Sequence, residues 1–189
     1  MKNTGAVIPA YNVGSRICAV IAAAERYIDS SRIIVVDDGS TDGTGRTARQ
    51  NTGAAVITHK QNRGKGAALK TGFNYLCGRG VSWIITLDAD GQHDPDMLPL
   101  FLKKKKKSRA QLILGTREFR IGRMPADRIF SNVISSMLVS LAAGTPLRDS
   151  QCGFRMISAA ALEQIQLETD HYETETELLI KMARKNMCI

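Results

Sequence analysis

The chain has 189 residues, of which 43% are hydrophobic and 23% are charged, so it can bury one substantial core and is too short for two independent domains of ordinary size. Its 26 basic and 18 acidic residues give a net charge of +8, which favours anionic partners such as nucleotides, lipid phosphates and membrane surfaces. Only one tryptophan and few other aromatic residues accompany this charge, which argues against nucleic acid as a partner.

Short apolar runs alternate with segments of helical periodicity along the chain. Strands are predicted at Gly5–Ile8, Arg32–Val36, Ala54–Thr58, Ser82–Leu87 and Gln111–Gly115. Helices are predicted at Ser15–Tyr27, Thr41–Gln50, Gly66–Gly78, Pro95–Lys107, Ala126–Ala143 and Glu173–Asn186, with Asp94 as the N-cap before Pro95. This alternation predicts an α/β domain with a largely parallel sheet flanked by helices.

No repeat and no linker-like segment divides the chain, so we interpret residues 1–189 as a single domain. The last predicted helix runs almost to Ile189 where a further strand would be expected, so we expect the domain to be truncated at its C-terminal end. Met1–Asn12 lacks the pattern of a signal peptide, and the uncharged stretch Ile129–Leu147 is too polar for a confident membrane span. These features predict a cytoplasmic protein, peripheral at the cytoplasmic membrane face.

Candidate binding residues follow four of the predicted strands at the point where each strand ends. In chain order they are Pro9, Tyr11, Asn12, Asp37, Asp38, Lys65, Asp88 and Asp90. Because ligands of open parallel sheets bind at the carboxyl ends of the strands, we expect these residues to face one crevice.

Asp88 and Asp90 are two residues apart after an apolar strand. Two carboxylates aimed at one place repel each other unless a cation lies between them. A hard divalent ion, Mg²⁺ or Mn²⁺, takes a few protein oxygens together with phosphate oxygens, and Gln92 is a third candidate ligand. Taken alone, the spacing favours an acidic turn with a helix cap; together with the other strand-end residues it favours a metal site linked to the substrate.

A calcium site is excluded, and two phosphate-binding patterns match the chain only weakly. A calcium EF-hand would need glycine where His93 stands and an acid where Pro99 stands. The segment 43–48 matches a dinucleotide-binding pattern, but the acids at 37, 38 and 42 would crowd the pyrophosphate. The loop before Lys65 lacks Walker spacing. His59, His93 and His171 lack ligand spacing and are predicted to be structural or exposed.

Asp37 and Asp38 suit the donor groups of a nucleoside, such as ribose hydroxyls and base N–H groups, and Tyr11 can pack against the base. The alternative is that Asp38-Gly39-Ser40-Thr41 only makes a turn and a helix cap. We interpret the segment as serving both roles, with Asp42 the more structural residue.

Seven motifs of the chain together resemble a known family. They are VIPAYN, VVDDGSTDGT, NRGKGAALKTGF, LDADGQHDP, GTR, DSQCGFR and YETETELLIKMARK, from Val7 to Lys185. They resemble the family-two glycosyltransferases of GT-A fold, especially those acting on dolichyl or polyprenyl phosphate. The resemblance implies a Rossmann-like, largely parallel mixed sheet, a nucleotide-diphosphate sugar donor, a divalent metal at the Asp-x-Asp motif and inversion at the anomeric carbon.

The resemblance also implies roles for particular residues. Donor-nucleotide contacts are implied for Pro9, Tyr11, Asp38 and Lys65, and metal and diphosphate contacts for Asp88, Asp90 and Gln92. Arg117 and Arg128 are implied to hold an acceptor phosphate, and Asp149, Gln151 and Arg155 to line the sugar and acceptor side. Relatives usually carry Glu after PxYN; Val13 stands there in this chain, so one nucleotide contact is absent or replaced.

The implied reaction moves a hexose, from a donor of the GDP-mannose or UDP-glucose type, to a polyprenyl or dolichyl phosphate. Two alternatives stay open: a sugar-hydroxyl acceptor with Glu175 or Asp149 as the base, and a noncatalytic nucleotide- or membrane-binding module. Glu175 aligns with the base of relatives with hydroxyl acceptors, whereas an ionised phosphate needs no strong base. The run Lys103–Lys107 is interpreted as a solvated helix end or as a site attracted to an anionic membrane.

Overall fold

The computed structural model describes residues 3–91, 95–116 and 126–189, with side chains omitted at 95 and 126–131. Within these ranges the chain forms a mixed sheet flanked by helices. The strands are β1 (Thr4–Ala10), β2 (Ile33–Asp37), β3 (Ala55–Thr58), β4 (Trp83–Thr86), β5 (Leu112–Leu114) and β6 (Arg155–Ser158). Their order across the sheet is β3-β2-β1-β4-β6-β5.

The strands β1 to β4 run in one direction. β1 pairs in parallel with β2 and with β4, and β2 pairs in parallel with β3. β6 lies antiparallel between β4 and β5. The predicted largely parallel α/β sheet is therefore confirmed, and the carboxyl ends of β1, β2, β3 and β4 meet at one edge. β6 was not predicted.

The helices are α1 (Arg16–Glu25), α2 (Thr44–Asn51), α3 (Lys65–Cys77), α4 (Leu98–Lys107), α5 (Ala126–Ala143), α6 (Ala159–Leu162) and α7 (Glu173–Arg184). Two of them, α2 and α4, begin three residues later than predicted. A 3-10 turn at Pro95–Met97 precedes α4, and Asp94, the predicted cap, lies outside the described residues. α2 starts after Gly43, whose φ of 85° is left-handed and so favours glycine. No helix in the described ranges combines the length and apolarity needed to cross a bilayer.

All seven residues of β1 are buried, as expected for a strand covered by helices on both faces. Because neighbouring side chains of a strand point to opposite faces, Val7 packs into one core with Phe73 of α3, while Ile8 packs into the other with Ile21 of α1. α3 approaches β1 closely at Gly72, where an added Cβ would overlap the Val7 side chain. This contact helps to fix α3, whose first residue is Lys65, against the sheet.

Candidate active site

The carboxyl ends of β1, β2 and β4 and the start of α3 enclose a cleft of about 350 Å³. It brings together these predicted residues: Pro9, Tyr11, Asp38, Lys65, Asp88 and Asp90. Tyr11 is 48% exposed and Asp90 is exposed, whereas Asp38 is buried. The cleft therefore combines an aromatic ring, a lysine and three carboxylates on one side of the sheet.

Lys65 lies between two carboxylates. Its Nζ is 2.7 Å from Asp88 Oδ1 and 2.9 Å from Glu175 Oε2. Burial by itself would lower the pKa of Lys65, but the charges of Glu175 and Asp88 and their hydrogen bonds outweigh it, so the pKa is raised. Lys65 is therefore a permanent cation at neutral pH. Its ammonium also lies 6.0 Å from the centre of the Tyr172 ring.

The Asp38 carboxylate organises the loop that leads into α3. Its Oδ1 accepts a hydrogen bond from the Arg63 amide at 3.0 Å, and its Oδ2 accepts one from the Gly64 amide at 2.7 Å. His59 Nδ1 lies 2.6 Å from the same Oδ1, and the histidine is buried. His59 was predicted to be structural or exposed; it is buried and lies directly against a predicted nucleotide-binding residue.

The structure does not place Asn12 and Asp37 among the residues that line the cleft. Asn12 Oδ1 accepts a hydrogen bond from the Thr41 amide at 2.9 Å, and Asp37 Oδ1 accepts one from the Ser40 amide at 3.1 Å. Both side chains thus hold the loop after β2. Of the two neighbouring acids, the structure gives Asp37 the turn-forming role and directs Asp38 to the cleft.

Arg155 differs from the expectation that it lines an open acceptor side, because it is only 1% exposed. Its guanidinium donates to the backbone carbonyls of Cys152, Ser150 and Glu175 at 2.8, 2.9 and 2.6 Å. Burial lowers the pKa of Arg155, and the nearby Glu175 carboxylate offsets only part of that effect. Arg155 therefore fastens the segment 150–155 to α7. Asp149 is also buried, and it accepts a hydrogen bond from the Gln151 amide.

A second cavity of about 390 Å³ adjoins the cleft and shares Tyr172 with it. Gln151, Glu173 and Glu175 contribute to its lining. Three other predicted positions cannot be placed: Gln92, Arg117 and the side chain of Arg128 lie outside the described residues.

The residues that are present suit a divalent metal. The described part of the chain contains no group of three or more His, Cys, Asp or Glu side chains that could hold a metal by themselves. Asp88 and Asp90, however, both line the cleft beside open volume. Two carboxylates completed by water and substrate phosphates are a common environment for Mg²⁺ and Mn²⁺, so this donor set fits a metal that arrives with a nucleotide.

Sequence reasoning did not expect His171 and Tyr172 to line the cleft. Tyr172 is 76% exposed and stands just before α7. The segment reaches the cleft because the Asp170 carbonyl accepts a hydrogen bond from the Ala67 amide of α3 at 2.8 Å. This contact joins residues about a hundred positions apart, and no local pattern signals it.

The chain matches the model of glycosyl transferase family 2 over residues 6–166. It belongs to this family. It has the GT-A fold, with the acids of the cleft after the strand ends and Lys65 at the start of α3. The resemblance drawn from the motifs is confirmed.

Two relatives match nearly the whole of this family-2 chain. A UDP-N-acetylglucosamine–dolichyl-phosphate N-acetylglucosaminyltransferase from Methanococcus voltae is 32% identical, over 95% of this chain and 79% of its own length. An undecaprenyl-phosphate mannosyltransferase from Micrococcus luteus is 29% identical, over 94% of this chain and 76% of its own length.

A solved structure supports the fold. The chain superposes with a TM-score of 0.77 on glucosyl-3-phosphoglycerate synthase from Mycobacterium tuberculosis, crystallised with Mn²⁺, UDP-glucose and phosphoglyceric acid. The identity is 23%, over 97% of this chain and 66% of that protein. At this identity the comparison shows the shared GT-A fold.

Proposed function

We propose that this family-2 glycosyltransferase moves a hexose from a nucleotide-diphosphate sugar, of the GDP-mannose or UDP-glucose type, to a polyprenyl or dolichyl phosphate with inversion. The observation that carries the proposal is the cleft itself, in which Asp38, Lys65, Asp88 and Asp90 converge at the ends of parallel strands. The printed activities of the relatives on dolichyl and undecaprenyl phosphate support the choice of acceptor.

In this proposal Asp38 binds the nucleoside. An ionised carboxylate offers about four acceptor positions, and three are directed at His59 and the amides of Arg63 and Gly64. One position is left for a ribose hydroxyl or a base N–H. Pro9 and Tyr11 supply the apolar surface against which the base packs.

Asp88 and Asp90 would hold the divalent metal beside the diphosphate, and Lys65 would neutralise a phosphate oxygen. A bound Mg²⁺ or Mn²⁺ would supply Lewis-acid stabilisation of the departing diphosphate. The chain's own contribution is to keep the two carboxylates at the end of β4 and a permanent cation at the start of α3.

The reaction we propose is a single displacement. A bond forms between an acceptor phosphate oxygen and the anomeric carbon, while the bond from that carbon to the diphosphate oxygen breaks and its electron pair leaves with the nucleotide. An acceptor phosphate is ionised near neutral pH, so no general base is needed. Arg117 and Arg128 stay as proposed acceptor-phosphate residues.

A second candidate is transfer to a sugar hydroxyl, and one observation favours it. The cavity next to the cleft is lined by Glu173, Glu175 and Gln151. Carboxylates accept hydrogen bonds from hydroxyl groups and repel a phosphate. A hydroxyl acceptor would need Glu175 or Asp149 as its base; Glu175 is ion-paired with Lys65, and Asp149 is buried.

Direct assay of both acceptor classes tests the proposal. The protein is incubated with labelled GDP-mannose or UDP-glucose, Mn²⁺ or EDTA, and either a polyprenyl phosphate in detergent or a panel of sugars. We expect EDTA-sensitive labelling of the polyprenyl phosphate, with inverted anomeric configuration by NMR. Labelling of sugars alone would establish the second candidate, and nucleotide binding without transfer to any acceptor would indicate a noncatalytic module. Replacing Glu175 does not separate these cases, because the change also removes a partner of Lys65.

A further inference from the structure

Lys65 is bound to a carboxylate that the proposed metal would also need. Its ammonium lies 2.7 Å from Asp88, one of the two carboxylates proposed to hold the metal. The Lys65 side chain is only 18% exposed, so solvent screens this pair weakly. A divalent cation that approaches Asp88 therefore meets a positive charge already bound to the same oxygen.

The two carboxylates around Lys65 are held differently. Asp88 follows β4 at the edge of the cleft, and its side chain is 26% exposed. Glu175 is embedded in the first turn of α7, and its side chain is 11% exposed. Its backbone carbonyl accepts from the buried Arg155, and its Oε1 is buried without a hydrogen bond, 3.8 Å from the Arg155 guanidinium. Asp88 is the more exposed of the two and lines the cleft, whereas Glu175 is held in the first turn of α7 beside the neighbouring cavity.

We infer that Lys65 exchanges Asp88 for the donor's diphosphate when metal and donor bind together, and that Glu175 is the positioning residue that retains Lys65 throughout. The inference rests on the proposed function, because it takes a diphosphate and a divalent metal as the ligands. No covalent step is involved. The Lys65 ammonium leaves the Asp88 carboxylate for a phosphate oxygen, while its ion pair with Glu175 is kept.

This arrangement couples the two ligands. Metal alone must displace Lys65 from Asp88 and leave a cation beside a cation. Metal with a nucleoside diphosphate offers Lys65 a phosphate oxygen in place of the lost carboxylate. Each ligand therefore strengthens the binding of the other by the same factor.

The test measures Mn²⁺ binding by electron paramagnetic resonance, with and without GDP or UDP. The proteins are the wild type, Lys65→Met, Glu175→Gln and the double variant. Lys65→Gln is included in case the Met variant folds poorly, and thermal melting checks every protein. Lys70→Met is the matched control, because Lys70 lies on the same helix and pairs with Asp170 outside the cleft.

We expect Lys65→Met to bind Mn²⁺ alone about fivefold or more tightly, since a competing charge is removed, and to lose most of the gain from nucleotide. Glu175→Gln should bind Mn²⁺ alone more weakly than the wild type. Without the Glu175 carboxylate, Lys65 pairs more strongly with Asp88, so the metal must displace a more tightly held ammonium. In the absence of Lys65, Glu175→Gln should change Mn²⁺ binding little, which shows that Glu175 acts through Lys65.

Four outcomes would overturn the inference. Unchanged or weaker Mn²⁺ binding by both Lys65 variants would show that Lys65 does not compete with the metal. Equal weakening by Glu175→Gln with and without Lys65 would show that Glu175 acts on the metal directly. A wild type that binds nucleotide and Mn²⁺ with no coupling would refute the exchange alone, whereas a wild type that binds neither would refute the proposed function as well.

Discussion

The carboxylates of the cleft differ in what surrounds them, although they all follow strands. Asp38 is buried and engaged with two backbone amides and His59. Asp88 pairs with Lys65, while Asp90 is exposed on the cleft wall. Removing Asp90 therefore relieves repulsion between carboxylates without emptying the core, which makes it the cleanest position at which to test the metal site.

We predict that Asp90→Ala weakens nucleoside-diphosphate binding in the presence of Mn²⁺ about tenfold or more, without loss of thermal stability. Calorimetric titration with GDP and UDP, with and without Mn²⁺, measures the effect. Asp96→Ala is the control, since Asp96 pairs with Arg26 and does not line the cleft. Unchanged Mn²⁺-dependent binding in Asp90→Ala would refute the metal assignment.

The sequence predicted where the site lies better than it predicted the role of each residue. Strand-end placement brought Asp38, Lys65 and Asp88 to the cleft, because parallel strands share one carboxyl edge. It could not separate Asp38 from Asp37, since the difference depends on the amides of residues 63 and 64 in a distant loop. The sequence also could not predict that Arg155 is buried, because its hydrogen-bond partners are backbone carbonyls, which every residue has.

Among the elements, α3 does most to shape the cleft. It begins with Lys65, and its close approach to β1 requires Gly72, which is buried against Val7. Glycine inside a helix normally costs about 1 kcal/mol relative to alanine. Here the missing methyl group is what allows the helix to lie close to the strand.

We predict that Gly72→Ala lowers the free energy of unfolding by about 1 kcal/mol, because overpacking in a core costs about 1–3 kcal/mol and exceeds the gain in helix propensity. The melting temperature should fall by about 2–4 °C. Gly78→Ala is the control: its φ is −62°, and its nearest contact would be the Asn74 carbonyl at 3.3 Å. A more stable Gly72→Ala protein would show that α3 can move away from β1.

Glu177 of α7 has a pKa well below that of an ordinary glutamate. Burial by itself would raise the pKa of Glu177, but hydrogen bonds from Lys181, Thr169 and the backbone amides of Thr169 and Glu168 outweigh it and lower the pKa from 4.5 to about 2. Since the folded pKa is below the unfolded one, the ionised group stabilises the fold above about pH 4.5. This contribution is lost as the pH falls through about 2.

We therefore predict that Glu177→Gln lowers stability at pH 7 by about 1–2 kcal/mol through the loss of charge-assisted hydrogen bonds. The difference from the wild type should shrink as the pH falls from 4.5 towards 2. Urea unfolding at several pH values measures it, with the exposed Glu173→Gln of the same helix as the control. A difference independent of pH would contradict the assignment.

The sequence predicted the elements whose hydrophobic periodicity is strong. β6 was not predicted, because its sequence carries no such signal. The strand has only four residues, Arg155–Ser158, and it begins with an arginine. It is a strand because β4 and β5 both offer it hydrogen-bonding edges, a tertiary cause that acts over about seventy residues of sequence.

Across the whole molecule, positive charge and exposed apolar side chains occur together. The net charge is +8. The side chains of Val133, Ile134, Met137, Leu138 and Leu141 on α5 are 42–70% exposed, and they recur at helical spacing. In a protein proposed to act on a lipid phosphate, this combination favours contact with an anionic bilayer.

We predict weak adsorption to vesicles that contain anionic lipid, which decreases but does not vanish as salt rises, because exposed charges are screened over about 10 Å at 0.1 M ionic strength while the apolar contacts remain. Flotation at low and high salt measures it. Met137→Gln and Leu141→Gln should reduce adsorption at both salt concentrations, whereas Lys103–Lys107 changed to Gln should reduce it mainly at low salt. The absence of flotation at low salt would refute the membrane assignment.

The antiparallel pairing of β6 with β4 affects which parts of the site can accept substitutions. β4 is flanked by β1 on one side and β6 on the other, so the strand that ends beside Asp88 is braced along both edges. The cavity beside the cleft is built instead from residues 150–151 and 172–176, in a loop and at the start of a helix. We therefore expect substitutions in this loop and helix start to leave Asp88 and Asp90 in place after β4, so that the proposed acceptor side can change while the proposed donor side is kept.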